Sequence, residues 1–458
     1  MPKSKSNFRT EHDSLGAVEV PSEALYGAQT QRAVNNFQYS GLTMPTAWLQ
    51  TLARLKLAAA TVNGELGEIS PDKAVAIASA AEKIVAGEYQ DQFPVDIFQT
   101  GSGTSSNMNM NEVLATLATQ TSGLDVHANN DVNRGQSSND IVPSANQLNA
   151  AMQVRDTLMP ALASLQNALH SLSQRHGDLL KTGRTHLMDA MPLSVAQEIS
   201  GWQGVIADLE ADFQQLLPRL CRITLGGTAV GTGVNAHPEF ADRVAARLAE
   251  QTGLPITRTH NHFSAQSGQS DQQALSGTLK NLATWLIKIS NDLRWMNSGP
   301  LAGLAEVQLP ALQPGSSIMP GKVNPVVPEA VIQAAFQVIG NDSTITLGAQ
   351  NGQFQLNTSL PLIGYNIQQS IDLMANAMTS LGRDGLQRLS FNAEALAGPL
   401  ARNPILATAL NNEIGYDLAG KIAKEAYASG RSVLDVAKEL TDLDHDTLQK
   451  LLDPGNLT

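Results

Sequence analysis

The chain has 458 residues, 42% of them hydrophobic and 16% charged, so it can bury a large core, and its length predicts about two or three domains. Its net charge of −12 excludes the basic stripe of a nucleic-acid surface and demands local positive groups wherever an anionic ligand is held. A single cysteine, Cys221, excludes a disulfide framework, a thiolate zinc cluster and a protein-bound iron–sulfur cluster, and points to a reducing compartment.

The amino terminus, Met1 to Pro21, carries Lys3, Lys5 and Arg9 together with Glu11 and Asp13 but has no apolar core. It reads as neither a secretory signal nor a transit peptide. No stretch is apolar for the length of a bilayer, so a cytoplasmic, soluble protein without a membrane partner is expected. The polar segment Thr100–Asn111 (TGSGTSSNMNMN) follows, and then His127–Asp140 (HANNDVNRGQSSND). Ser102-Gly103-Thr104 and Ser137-Ser138-Asn139 have the composition of helix caps, with Asn139 or Asp140 as candidate cap of the next helix. Capping and anion binding are compatible there, because a helix start offers free N–H groups and the positive dipole end.

Next comes a long series of helices. Leu158, Leu162, Leu165, Leu169 and Leu172 alternate steps of four and three, and Val195 through Leu216 nearly do so. Leu275, Leu279, Leu282, Leu286, Ile289 and Leu293 repeat the pattern, as do Ile367, Ile371, Met374, Met378 and Leu381. Such stripes predict an all-α protein with a long bundle packed at shallow angles. Strand-like alternation is scarce. Between these helices lie GRTHLMD (183–189), where His186 is either a hydrogen-bonded histidine at a helix start or an acid–base group, and LGGTAVGTGVN (225–235). The latter lacks the lysine of a phosphate-binding loop and reads as a tight interhelical connection. His260-Asn261-His262 has no acidic or cysteine company and reads as a solvated loop.

The most informative segment is Gly315–Pro325, GSSIMPGKVNP. Its glycines and prolines mark a loop. On an extended backbone Lys322 and Asn324, flanking Val323, point the same way, and with Ser316 and Ser317 they form a carboxylate receptor that places a serine beside a positive charge. Glu329, at the start of the next helix, is a candidate carboxylate partner for His186. From about Asn392 the helical patterns shorten around Pro399, Pro404 and Gly415. The expected domains are therefore residues 1–136, 137–391 and 392–458.

GSSIMPGKVNP resembles the signature of the fumarase/aspartase superfamily in its class II fumarase form. The segments Glu11–Ala33, Gln99–Val113, QSSND, GRTHLMDA and GGTAVGTGVN resemble its other motifs in the same order. His186 favours the fumarase branch, because aspartases usually carry Gln there and a departing hydroxide benefits from an assisting acid. The resemblance implies a three-domain helical fold and reversible anti addition of water to fumarate without metal or organic cofactor. It casts Ser316 as the base at C3 of malate, with Lys322 and Asn324 stabilising the aci-carboxylate. His186 would act through a water, backed by Glu329. Ser102, Gly103, Thr104, Ser137, Ser138, Asn139, Thr185, Ser317 and Val323 would surround the dianion. A homotetramer with active sites shared between subunits is also implied. Two features depart from the pattern. At the second dicarboxylate site, His127, Ala128, Asn129 and Asn130, Leu124 stands for an arginine and Asn130 for an aspartate, and Gln313 replaces an acidic residue before the signature loop. The alternatives are aspartate ammonia-lyase and a catalytically silent structural protein on the same scaffold.

Overall fold

A computed structural model describes residues 7–458; Lys3 and Lys5 of the amino-terminal reading lie outside them. The fold begins with a hairpin of β1 (Phe8–Asp13) and β2 (Gly16–Pro21), followed by α1 (Ala28–Asn36), α2 (Thr46–Glu65), α3 (Pro71–Val85), α4 (Thr104–Ser122), α5 (Ser138–Gln153) and α6 (Met159–His176). A second hairpin, β3 (Leu180–Thr185) and β4 (Met188–Ser194), leads into α7 (Val195–Leu220). After α8 (Phe240–Thr252) and the short α9 (His262–Ser267) come three more long helices: α10 (Ser270–Met296), α11 (Val326–Gln350) and α12 (Leu360–Ser380). Shorter helices complete the carboxy terminus.

The stripes read from the sequence are the buried faces. Leu158 to Leu172, Val195 to Leu216, Leu275 to Leu293 and Ile367 to Leu381 are all buried at the positions named. Burying one such leucine or isoleucine removes enough apolar surface to contribute about 2 kcal/mol, so these faces dominate the helix placement. Two long helices start at signals the sequence provides: α3 at Ser70-Pro71, where the serine hydroxyl accepts from the Lys73 amide and proline occupies the first turn, and α5 at Ser137, considered below.

The chain forms two compact units. The first comprises the described part of Met1–Pro160, with Ala211–Asn281 and Phe336–Ala375; the second comprises Ala161–Glu210, Leu282–Ala335 and Asn376–Thr458. In the first, α2 packs on α3, α5 and α8, and α4 on α3 and α5. Arg219 at the end of α7 pairs with Asp271 at the start of α10 (2.7 Å), so these two helices run antiparallel. Ser276 and Lys280 of α10 both hold Asp342 of α11, and Asn341 of α11 reaches Gln369 and Ser370 of α12. The four long helices are thus cross-linked in sequence order by polar groups as well as leucines.

In the second unit, Gln166 of α6 donates to the Gln203 carbonyl of α7, and Lys288 of α10 lies 5.9 Å from the Trp202 ring of α7. The carboxy-terminal segment has its own apolar cluster, from Leu406 and Leu410 through Ile422, Val436 and Leu448. The scarcity of strands holds for length but not for number. Five two-stranded sheets occur among the described residues, and the β3–β4 hairpin carries the GRTHLMD motif. Arg, Thr, His and Met on this short ladder give no apolar–polar alternation, so the strands left no trace in the pattern.

Candidate active site

In the first unit the two anion-binding motifs meet. Thr104, Asn107, Asn133, Gln136, Ser137, Ser138, Asn139, Thr228 and Asn235 all line one cavity of about 430 Å³. Ser102 adjoins it through a 2.9 Å contact between its hydroxyl and that of Thr104. Helix α4 starts at Gly103, which has no side chain to cap it; Gln99 Oε1 accepts the Ser106 amide (2.9 Å), and the Thr104 and Ser105 amides stay available. Helix α5 has a full capping box. The Ser137 hydroxyl accepts from the Asn139 amide, and the Asp140 carboxylate accepts from the Ser137 amide at 2.9 Å. The cap is therefore Ser137, with Asp140 as its reciprocal partner. Asn139 instead donates to the Ala229 carbonyl at 2.8 Å.

Asp140 also accepts from the amides of Gly226 (3.0 Å) and Thr228 (2.8 Å). The LGGTAVGTGVN loop is thereby folded onto the start of α5 and forms a wall of the cavity, a larger role than that of a connection. His262 is half-buried against the same loop, its Nδ1 2.9 Å from the Thr224 carbonyl, and Asn261 caps α9. The solvated-loop reading fits the exposed His260 and Asn261 and is corrected for His262, which fills space that Gly226 and Gly227 leave open.

Beneath the cavity lies Lys56, fully buried on α2. Its ammonium donates to Asn133 Oδ1 (3.0 Å) and Gln136 Oε1 (2.9 Å). Burial pulls its pKa down to about 7 against the pull of Asp140, and burial pushes Asp140 up to about 6 against its amide donors and the Lys56 charge. Lys56, Asn107, Asn133, Gln136 and Thr228 escaped the sequence reading. Lys56 sits in an otherwise ordinary helical stretch, and the only available signal was a lysine at a core position.

In the second unit the signature loop closes on itself. The Gly315 amide donates to the Lys322 carbonyl (2.8 Å), and Asn324 Nδ2 donates to the Gly315 carbonyl (2.8 Å). A Cβ at Gly315 would sit 2.6 Å from the Lys322 oxygen, so only glycine fits this closure. Lys322 Nζ donates to Asn324 Oδ1 at 2.8 Å, so these two side chains do point the same way. The half-buried Ser316 is held as an acceptor: its Oγ takes the amides of Ile318 (3.2 Å) and Met319 (3.0 Å). Two fixed N–H donors aimed at a hydroxyl oxygen favour its anionic form. Ser317 is exposed. Lys322, Val323, Asn324 and Glu329 line one cavity together with Asn291, Trp295 and Asn297.

Thr185 and His186 lie elsewhere. Thr185 pairs with Met188, and His186 and Leu187 form the two-residue turn between β3 and β4, with φ of 57° and 61°. Histidine at a helix start is therefore corrected to histidine at a hairpin tip. Left-handed backbone at two consecutive non-glycine residues costs about 1–2 kcal/mol each, so the surrounding structure imposes the turn. Below it, buried Lys181 joins Glu198 (2.9 Å) and Glu306 (3.0 Å), and Arg184 joins Glu306 as well. This ion network ties β3 to the segment that precedes the signature loop. Among the described residues neither the His186 ring nor the Glu329 carboxylate has a hydrogen bond or ion pair, so the two are not joined within one chain.

At the candidate second dicarboxylate site, residues 128–132 form one π-helical turn capped by His127, whose Nδ1 accepts the amides of Asn129 and Asn130, each at 3.1 Å. Those amides are thus occupied by the histidine. Leu124 lines a neighbouring cavity with Asp72 and Thr121.

The chain matches the family model described as "Lyase" over residues 16–340 and that described as "Fumarase C C-terminus" over residues 406–458. It is 50% identical to the class II fumarate hydratase of Xylella fastidiosa, strain Temecula1, over 98% of this chain and 95% of that protein. It is also 50% identical to the second class II fumarate hydratase of Pseudomonas aeruginosa, over 99% of each. The crystal structure of class II fumarase from Schistosoma mansoni superposes with a TM-score of 0.96 at 36% identity, covering 98% of this chain and 99% of that one. With serine, lysine and asparagine displayed on one closed loop and a second set of anion donors at two helix starts, these matches over nearly the full length place the chain in the class II fumarase family of lyases.

Proposed function

We propose that the protein is a fumarate hydratase, adding water reversibly and anti to fumarate to give (S)-malate. The observation that carries this reading is the Ser316 oxygen held by the Ile318 and Met319 amides on the loop that also presents Lys322. In the malate-to-fumarate direction Ser316 takes the proton from C3. The electron pair moves into the neighbouring carboxylate, and Lys322 and Asn324 stabilise that doubly charged aci-carboxylate more than the ground state, which is what acceleration requires. On the opposite face His186, through a water and backed by Glu329, assists departure of hydroxide from C2. Ser102, Gly103, Thr104, Ser137, Ser138, Asn139, Thr185, Ser317 and Val323 position the dianion. These steps use side chains, backbone and solvent alone.

The proposed active form is a homotetramer in which each site draws on several subunits. Three features support it. His186 stands exposed at a hairpin tip and, among the described residues, makes no hydrogen bond or ion pair with the signature loop. The loop itself exposes Ile318 and Met319. And α11 carries Phe336 (59% exposed) and Leu347 (62%) on one face while Val331, Ile332, Ala335, Val338 and Ile345 are buried on others, an apolar spread that belongs inside a larger bundle. Phe336→Glu is expected to split the assembly, lowering the mass seen by sedimentation, with little loss of helix by circular dichroism. Domain boundaries at residues 136 and 391 and a cytoplasmic location complete the proposal; the apolar cluster from Leu406 to Leu452 supports the boundary at 391.

Purified protein given fumarate without ammonium should consume it, read as loss of ultraviolet absorbance with matching appearance of malate. An absolute requirement for ammonium would make the enzyme an aspartate ammonia-lyase instead. No conversion by the intact assembly would make it a silent scaffold.

A further inference from the structure

We infer that Lys56 is a positioning residue for substrate binding, placing a buried positive charge behind the wall of the carboxylate cavity. The inference rests on the fumarate hydratase reading and deepens it. The cavity wall carries hydroxyls and amides but no charged side chain, while the whole chain is at −12 and the substrate is a dianion. The cation nearest this wall by hydrogen bonding is Lys56, one residue removed: its two acceptors, Asn133 and Gln136, are themselves cavity-lining residues. Asn133 Oδ1 also takes the amides of Asn107 and Asn111, each at 3.2 Å, and Asn107 donates to the Ser138 hydroxyl at 3.0 Å. The ammonium therefore engages the oxygen ends of two wall side chains that would otherwise repel a carboxylate, and fixes the amides around Ser138.

The charged group facing Lys56 is Asp140 from α5, whose oxygens are already engaged by the amides of Ser137, Gly226 and Thr228. Helix α4 presents neutral amides, as do Asn133 and Gln136, and Arg134 between them is paired with Glu68 (2.7 Å). On α3, Lys73 is paired with Asp131, and on α8, Arg247 is paired with Glu65, more than two turns along α2 from Lys56. A dianion arriving in the cavity stabilises the ammonium form of Lys56, so binding draws a proton onto the amine at a pH where burial has left it partly neutral.

The test uses the intact assembly and succinate, an unreactive dianion, beside fumarate turnover. Lys56→Gln keeps a donor but removes the charge; it should raise KM and weaken succinate about tenfold or more while kcat falls less than about threefold. Lys56→Arg, which keeps the charge, should stay nearer wild type than Lys56→Gln. A merely structural lysine would lower the assembled fraction without this split, and a Lys56→Gln protein with wild-type KM and succinate affinity overturns the inference. If the variants fail to assemble, calorimetry of succinate binding to the His186→Asn protein, in buffers of different ionisation heat near about pH 8, decides it: net proton uptake supports Lys56, and none overturns it. Failure of the unsubstituted protein to convert fumarate would instead sink the reading of the site, whatever the variants do.

Discussion

Ser316→Ala should cut turnover by about three orders of magnitude and leave the protein folded and assembled. Serine is an ordinary alcohol and a poor base unless its alkoxide is stabilised. Here the Oγ accepts two backbone amides and shares its loop with the Lys322 ammonium, so the geometry supplies what the residue type lacks. Alanine deletes the atom that would receive the C3 proton, while the Ile318 and Met319 amides, on an exposed loop, pass to solvent. The stability change should stay within about 1 kcal/mol. Three measurements separate the causes: kcat for malate dehydration, exchange of the C3 hydrogen in heavy water, and melting followed by circular dichroism. Loss of turnover together with exchange, at an unchanged melting temperature, identifies the base. Near-normal turnover would move that role to another residue.

What the sequence made legible follows its physics. A stripe such as Leu275 to Leu293 repeats over many turns, and every member is buried, because burial of a whole face outweighs local preferences. The signature loop was legible because glycine, proline, lysine and asparagine in that density have few structural uses. The hairpin under His186 was hidden because its turn contains neither glycine nor asparagine, the residues that normally announce left-handed backbone. There the conformation is imposed from below by Lys181 and Arg184, both paired with Glu306, which is far from them in sequence. Gly183 is the one local trace: a Cβ there would meet the Met191 carbonyl at 2.6 Å, at the point where the β3–β4 register shifts. Lys56 was hidden for a related reason. One lysine in a helix reads as a solvated face, and only the fold shows it enclosed by Asn133 and Gln136. The capping box at Ser137 was half legible, since composition marked a helix start but not which side chain closed it.

Two inactive variants, Ser316→Ala and His186→Asn, should restore activity when co-expressed. The argument turns on where the two groups sit. Ser316 lies on a loop whose hydrogen bonds close upon itself, His186 stands exposed on a hairpin tip, and no hydrogen bond or ion pair joins His186 to Glu329 within the chain. If each site takes its histidine and its serine from different subunits, a site in a mixed assembly is intact when its histidine donor carries the serine defect and its serine donor carries the histidine defect. Random assembly makes this so in about a quarter of sites, so the mixture should reach about a quarter of wild-type turnover while each variant alone stays near background. Mixing the separately purified tetramers without exchange of subunits should recover nothing, which excludes trace wild-type protein. If instead one chain supplied both groups, every site in every hybrid would carry one defect, and co-expression would give no more than the sum of its inactive parents.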